Sequence, residues 1–256
     1  MKLTEGNYHS LEANKTYWSV SQFKSFMDCQ ASALAEITGE YIRPTTEAFL
    51  QGGYVDAHFS GTEDAFIANH PEIVNSRSGE LKAAYKKAQD AIDRAERDNY
   101  FMSHLSGDPQ VIMTAELFGK PWKVKIDSLH DDKIVDLKYM RDMSSVYKGG
   151  EWKPFVTAYG YDIQGYIYQA VVEAVTGKRL PFYLAVVTKE DPADIAIIHI
   201  PDKFLNVNKG MIEHYLPEFD AVKQGKVEPV RCESCAYCRQ SKILTGAVEY
   251  ETLLEV

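Results

Sequence analysis

Apolar positions in the N-terminal part of the chain recur at helical spacing. Ser19 or Ser21 can cap a helix running to about Ile37, with Phe23, Phe26, Ala33 and Leu34 at helical intervals. A second helix is expected to begin near Glu47 and to carry His58, and residues 79–99, SGELKAAYKKAQDAIDRAERD, form a charged, amphipathic and strongly helical segment. The period then changes. VIMTAELF (111–118), PWKVKIDSL (121–129) and KIVDLKYM (133–140) are β-rich runs broken by Gly119-Lys120 and by His130-Asp131-Asp132, the pattern of an antiparallel meander. Residues 158–176 return to helical spacing and stop at Gly177, LPFYLAVVT (180–188) and ADIAIIHI (193–200) read as strands, and a last helix spans Lys203 to about Gln224. This order predicts an α/β (mixed α+β) fold with a central mixed β-sheet flanked by helices.

No internal repeat, low-complexity tract or Pro/Gly-rich linker divides the 256 residues. One domain over 1–256 is therefore expected, with an N-terminal helical part (1–105), a core (106–225) and a C-terminal cysteine segment (226–256). A hydrophobic content of 45% is enough for a sizeable core. No run of about 18 apolar residues occurs, and the opening MKLTEGNYHSLEANKTYW has no apolar stretch after its early Lys. A soluble, cytoplasmic protein without membrane contact is expected.

Charge changes the picture of partners. Lys plus Arg is 28 and Asp plus Glu is 37, a net charge of −9, so the field of the whole molecule repels a polyanion. Binding to nucleic acid by bulk positive charge is thereby excluded. A local basic groove, or carboxylates neutralised by divalent ions, would escape that objection. Lysine and arginine do cluster, at Lys82, Lys86 and Lys87, at Lys120, Lys123 and Lys125, and at Lys138, Arg141, Lys148 and Lys153. For most of these an ordinary solvated surface is the simplest reading.

Alternation along a strand puts Asp136 and Lys138 of IVDLKY on one face, with Val135, Leu137 and Tyr139 on the other. Lys123, Lys125 and Asp127 share a face of the preceding strand, and pairing across the His130–Asp132 turn would bring Asp127 towards Asp136. Glu116 lies opposite Ala115 and Leu117 in the first strand. Two carboxylates and an amine are what phosphodiester hydrolysis uses: the acids bind Mg²⁺ or Mn²⁺, the ion polarises the phosphate and acidifies a water, and the cation offsets developing charge. An Asp-x-Lys pair alone is equally a solvent-facing ion pair.

The neighbouring sequence sharpens this. GGYVDAH (52–58), AELFGKPWKVKIDSL (115–129), IVDLK (134–138) and YDIQGYIYQA (161–170), preceded by SVSQFKSFMDC (19–29), together resemble the PD-(D/E)XK nucleases, particularly the RecB-like and RecE-like exonucleases. The resemblance implies a restriction-endonuclease-like core and a metal-dependent DNA exonuclease acting on ends. It implies Asp127 and Asp136 as metal ligands, joined by the backbone carbonyl of Leu137 and by His58, and Lys138 as the catalytic lysine. Glu116 matches the acidic residue of the first strand, and Gln164 and Tyr168, four apart on one helix face, match the family's Q-x-x-x-Y. The Pro of the motif's name is absent, since Asp127 follows Ile126.

Cys232, Cys235 and Cys238 are spaced C-x-x-C-x-x-C, and Cys29 is the only fourth cysteine. Disulfides are unexpected in a cytosolic protein, which leaves a soft-metal site or unligated thiols. Iron–sulfur nucleases of the RecB-like class show a similar division of one early and three late cysteines, which implies a [4Fe–4S] cluster; Zn²⁺ on the same thiolates is the alternative. The RecE-like resemblance further implies 5′-to-3′ digestion of DNA in phage or prophage recombination, a single-strand annealing protein as partner, and a ring-like homo-oligomer. Two other functions stay open: a non-catalytic nucleic-acid-binding or scaffold protein held by its cysteine site, and a RecB-like nuclease with another task, an endonuclease or a CRISPR spacer-processing enzyme.

Overall fold

The computed structural model describes residues 1–253; the last three residues of the 226–256 segment lie outside the described residues. Its strands are β1 (Asp108–Leu117), β2 (Lys120–Leu129), β3 (Ile134–Met140), β4 (Val146–Lys148), β5 (Glu151–Lys153), β6 (Phe182–Thr188) and β7 (Ile195–Ile200). Its helices are α1 (Leu11–Thr16), α2 (Val20–Asp28), α3 (Gln30–Thr38), α4 (Glu47–Phe59), α5 (Glu63–Asn69), α6 (Ala83–Glu96), α7 (Asn99–Leu105), α8 (Phe155–Ala158), α9 (Tyr161–Thr176), α10 (Asp202–Leu205), α11 (Asn208–Lys223) and α12 (Ala236–Gln240).

Five strands form a mixed sheet in the order β1-β2-β3-β6-β7. The meander is antiparallel, β6 runs parallel to β3 after the α8–α9 crossover, and β7 returns antiparallel. The β1–β2 turn places both Phe118 and Gly119 at positive φ, 54° and 68°, the backbone that a tight hairpin with the sheet's own twist requires. One face of the sheet packs Trp122, Ile126, Ile134, Phe182 and Leu184 against Phe23 and Phe26 of α2, Ile167 and Val171 of α9 and Phe219 of α11. The other packs Val135, Leu137, Ala185 and Val187 against Tyr54 of α4, Ile92 of α6 and Phe101 of α7. With helices on both faces, β3 and β6 must be apolar on both, and their near-continuous Ile, Val, Leu and Ala meet that need. The restriction-endonuclease-like arrangement expected from the sequence is the one observed. No helix among the described residues is long and apolar enough to cross a membrane.

Three differences from the sequence pattern matter. The helix expected over residues 19–37 is two helices, because Cys29 is extended (φ −166°) and starts α3 in a new direction after Ser19 caps α2. The helix expected from Lys203 is interrupted between Leu205 and Asn208. A small separate hairpin, β4–β5, stands between β3 and α8.

The most consequential feature is where β2 and β3 part. Only Ser128↔Val135 and Leu129↔Ile134 are paired. Beyond them β3 leaves, and the N-terminal segment takes its place: the Trp18 amide donates to the carbonyl of Pro121, and the Lys123 amide donates to the carbonyl of Trp18. The fork so formed is the site described next.

Candidate functional site

In the fork, the backbone groups that a continued ladder would have satisfied are taken by side chains and by the Trp18 backbone. The Asp127 carboxylate accepts the Leu137 amide at 2.8 Å. Pro121 and Lys123 turn their peptide groups to Trp18, and Lys125, next in the alternation, has its carbonyl taken by the Tyr168 hydroxyl at 2.8 Å. Strict alternation does not survive here: Ile126 and Leu129, three apart, pack into the same core, and Gln110 on β1, across from this stretch, has φ 53°. At this break Asp127 and Asp136 come to line the same cleft.

Asp136, 1% exposed, accepts Gln164 Nε2 at 2.6 Å through Oδ1, while Oδ2 lies 2.5 Å from Lys138 Nζ. Oδ2 is fully buried and receives no aligned hydrogen bond. The Lys138 ammonium also sits over the Tyr161 ring, 5.1 Å from its centroid. Gln164, Tyr168 and Tyr161 all come from α9, which the sheet face holds in place through Ile167 and Val171. Asp56 of α4 closes the opposite wall and accepts Gln110 Nε2 at 2.9 Å. Tyr8, His9, Lys24, Lys123 and Lys125 complete the lining.

The electrostatics follow from placing three acids in one partly dry cleft. Burial, then the neighbouring charges of Asp136 and Asp56, holds the Asp127 carboxyl well above the usual carboxylate range. Burial also raises Asp56, opposed by Lys125. Burial alone would lower Lys138, but Asp136 and Asp127 outweigh it and keep the amine charged. Lys24, whose Nζ donates to the Tyr159 carbonyl at 2.5 Å, is pushed down to about 8 by burial and by Lys138.

Asp127, Asp136, Leu137, Lys138, Gln164 and Tyr168 thus line one cleft. Two expected residues do not. His58 holds Glu63 (2.6 Å, Nδ1) and Glu96 (2.8 Å, Nε2) on the outer side of α4. Asp56 and His58 are two residues apart, about 200° around a helix, so the packing that turns one to the cleft turns the other away. Glu116 pairs with Pro121 at the exposed end of β1, six residues along the strand from Gln110 and so about 20 Å from the level of Asp127. Asp56 and Lys24 were not singled out from sequence, although Asp56 lies within GGYVDAH, where Gly52 leaves the cleft wall free of a side chain and Gly53 makes room for the Phe66 ring.

The fork offers oxygen donors in the carboxylates of Asp56, Asp127 and Asp136 and the backbone carbonyl of Leu137, with the His9 imidazole elsewhere in the lining. Such a set suits hard ions of the Mg²⁺ or Mn²⁺ type, and the buried Asp136 Oδ2, ion-paired to Lys138 without an aligned hydrogen bond, is placed to serve as one of those donors.

A second cluster lies on the α2–α3 side. The sulfurs of Cys29, Cys232, Cys235 and Cys238 all lie within 4.8 Å of one another, with Cys29 and Cys238 at 3.6 Å and Cys232 and Cys238 at 4.0 Å. All four are free thiols. Backbone amides of Cys235 and Cys238 point at the sulfurs of Cys232 and Cys235, at 3.3 and 3.4 Å. The Val230 carbonyl and Gln30 side chain clamp the incoming strand to α3.

Known proteins resemble this chain in sequence and in fold. The pattern of a family described as a PDDEXK-like domain of unknown function (DUF3799) matches residues 19–241. No curated protein matches. The crystal structure of a candidate exonuclease from Eubacterium rectale is 43% identical and superposes with a TM-score of 0.95, covering 99% of this chain and 98% of that one. The chain belongs to this PDDEXK-like family, within the PD-(D/E)XK nuclease superfamily.

Proposed function

We propose that this protein is a divalent-metal-dependent nuclease that hydrolyses DNA from its ends. The observation that carries the reading is the convergence of Asp127, Asp136 and Lys138 at the β2–β3 fork. Asp127, Asp136 and the Leu137 carbonyl would hold the ion, with Asp56 supplying the fourth oxygen in place of the expected His58. Once bound, Mg²⁺ or Mn²⁺ polarises the phosphate and acidifies water. The protein's own groups do the rest. Lys138 offers a proton-bearing cation to the non-bridging oxygens and orients the attacking water; Gln164 fixes the Asp136 carboxylate; Tyr168 holds β2 open at Lys125. Lys24 at the mouth offers a second cation to the incoming phosphate.

Action on ends is supported by the Eubacterium rectale relative, described as a candidate exonuclease. The 5′-to-3′ direction, the phage or prophage setting, the annealing partner and the ring-like oligomer rest on the RecE-like resemblance. Incubation with Mn²⁺ and either linear or covalently closed circular DNA tests the reading. Linear substrate should be consumed and circles spared; nicked or linearised circles would instead make the enzyme an endonuclease.

The four thiolates would hold a structural ion apart from the chemistry. Zinc–sulfur bonds of about 2.3 Å set tetrahedral sulfurs about 3.8 Å apart. The 3.6 and 4.0 Å separations fit one such ion. A [4Fe–4S] cluster binds each thiolate to a different iron on its outer corners and holds the sulfurs further apart, so this spacing does not fit it. Zinc is the reading the sulfur spacing supports.

A further inference from the structure

The hairpin β4–β5 presents its aromatic face to solvent. Tyr147 and Trp152 are directly paired across it, ring centroids 5.6 Å apart at 64°, and are 62% and 71% exposed. Side chains alternate in a strand, so with Val146 turned into the main core its neighbour Tyr147 must point away from it. The turn, Gly149-Gly150, has φ 63° and 86°, the backbone of a two-residue hairpin, and nothing lies within 4 Å of either missing Cβ. The ribbon is therefore shaped by its own sequence rather than by crowding. A two-stranded ribbon gains little stability from leaving two large rings in water.

The hairpin is continuous with the fork. Lys148 Nζ donates to the Ala158 carbonyl at 3.1 Å, and Lys24 Nζ to the next carbonyl, that of Tyr159. The Tyr159 ring lies 5.8 Å from that of Tyr161, over which Lys138 sits. The Lys148 and Lys24 ammonium groups and the Tyr159 and Tyr161 rings thus link the inner face of the hairpin to the Asp136–Lys138 pair, while Tyr147 and Trp152 lie on its outer face. Lys153 is paired with Glu151 at 2.9 Å, whereas Lys148 is held by the Ala158 carbonyl and Lys24 by the Tyr159 carbonyl and the Tyr161 ring, neither bonded to a carboxylate. In a chain of net charge −9 this is a local positive track.

We propose that the Tyr147–Trp152 face is a stacking platform for unpaired bases of a DNA strand whose backbone enters the fork. The inference rests on the nuclease reading and narrows its substrate to single-stranded DNA or a frayed end, because in an intact duplex the base faces are already stacked on one another. Aromatic faces hold bases of any sequence, while the lysines follow the phosphates.

Trp152 reports on this directly, since Trp18 and Trp122 are 1% and 0% exposed. Fluorescence is titrated with oligothymidylate, with Ca²⁺ replacing the catalytic ion. Saturable quenching is expected, and Trp152→Ala and Tyr147→Ala, followed by anisotropy of a labelled oligonucleotide, should each weaken binding about 5- to 150-fold, the equivalent of about 1–3 kcal/mol for one stacked base. Trp152→Phe should keep most of the affinity, and hydrolysis of thymidine 5′-(p-nitrophenyl phosphate) should be unchanged in all three variants. Equal oligonucleotide affinity in wild type and Trp152→Ala overturns the proposal. So does a concentration-dependent dimer in sedimentation that Trp152→Ala abolishes, which would make a second copy the occupant. A wild type that cuts DNA with affinity indifferent to Trp152 refutes the platform alone; one that neither binds nor cuts DNA refutes the nuclease reading with it.

Discussion

Replacing Tyr168 by Phe deletes one oxygen from the centre of the fork. Tyr168 is 8% exposed, and its hydroxyl donates to the Lys125 carbonyl on the side that β3 has vacated. The variant loses that hydrogen bond and leaves a carbonyl poorly solvated, which costs about 1–2 kcal/mol. At about 2.1 cal/mol/K per residue, 256 residues give an unfolding entropy of roughly 0.5 kcal/mol/K, so Tm should fall by about 2–4 °C. Because β2 carries Asp127 two residues on, a small shift of the strand also displaces a proposed ligand. Turnover should drop about 10- to 100-fold with little change in KM, since misplacement rather than lost contact is the cause. Calorimetry and initial rates on labelled DNA measure the two effects. A variant melting within 1 °C of wild type at full turnover would show that the hydroxyl does not complete the strand.

Other outcomes follow from the same geometry. The folded Asp127 carboxyl holds its proton to higher pH than the unfolded one, so metal-free stability falls as pH rises above the ordinary carboxylate range. Asp127→Asn should therefore melt above wild type at pH 8 without added divalent ions, and Mn²⁺ should raise the Tm of wild type but not of the variant; a lower metal-free Tm contradicts the argument. Burial pushes Lys223 down to about 7 against the pull of Asp220, so between about pH 7 and 10 the unfolded chain binds more protons and stability rises with pH. Lys223→Gln should flatten that rise in urea titrations at pH 7 and 9, and an unchanged slope refutes it. Purified wild type should contain one zinc per chain by mass spectrometry, and Cys29→Ala none, with a lower Tm; retention of the metal, or iron in its place, overturns the single-ion reading.

Much of this was legible in sequence because it is local. Period-two runs and turn residues locate β1, β2 and β3, and alternation alone places Asp136 and Lys138 together. What was not legible depends on tertiary contact. Helical spacing runs straight through Cys29, and only the thiol cluster explains the break there. Alternation does not reveal that Gln110 adopts φ 53° or that Ile126 and Leu129 turn into the same core, the break beside which Asp127 joins Asp136 in one cleft. GGYVDAH offered both Asp56 and His58; the choice was made by Tyr54 and Val55 seating α4 on the sheet. The β4–β5 hairpin has three residues per strand, too few to show a period.

The account stands or falls on whether the fork cuts DNA. End-labelled linear DNA, single- and double-stranded, should be degraded by wild type with Mg²⁺ or Mn²⁺ and spared with EDTA. Asp136→Asn and Lys138→Ala, folded by circular dichroism, should lose at least about a thousandfold in rate, about 4 kcal/mol of transition-state stabilisation. Degradation at wild-type rates by either variant would contradict the assignment.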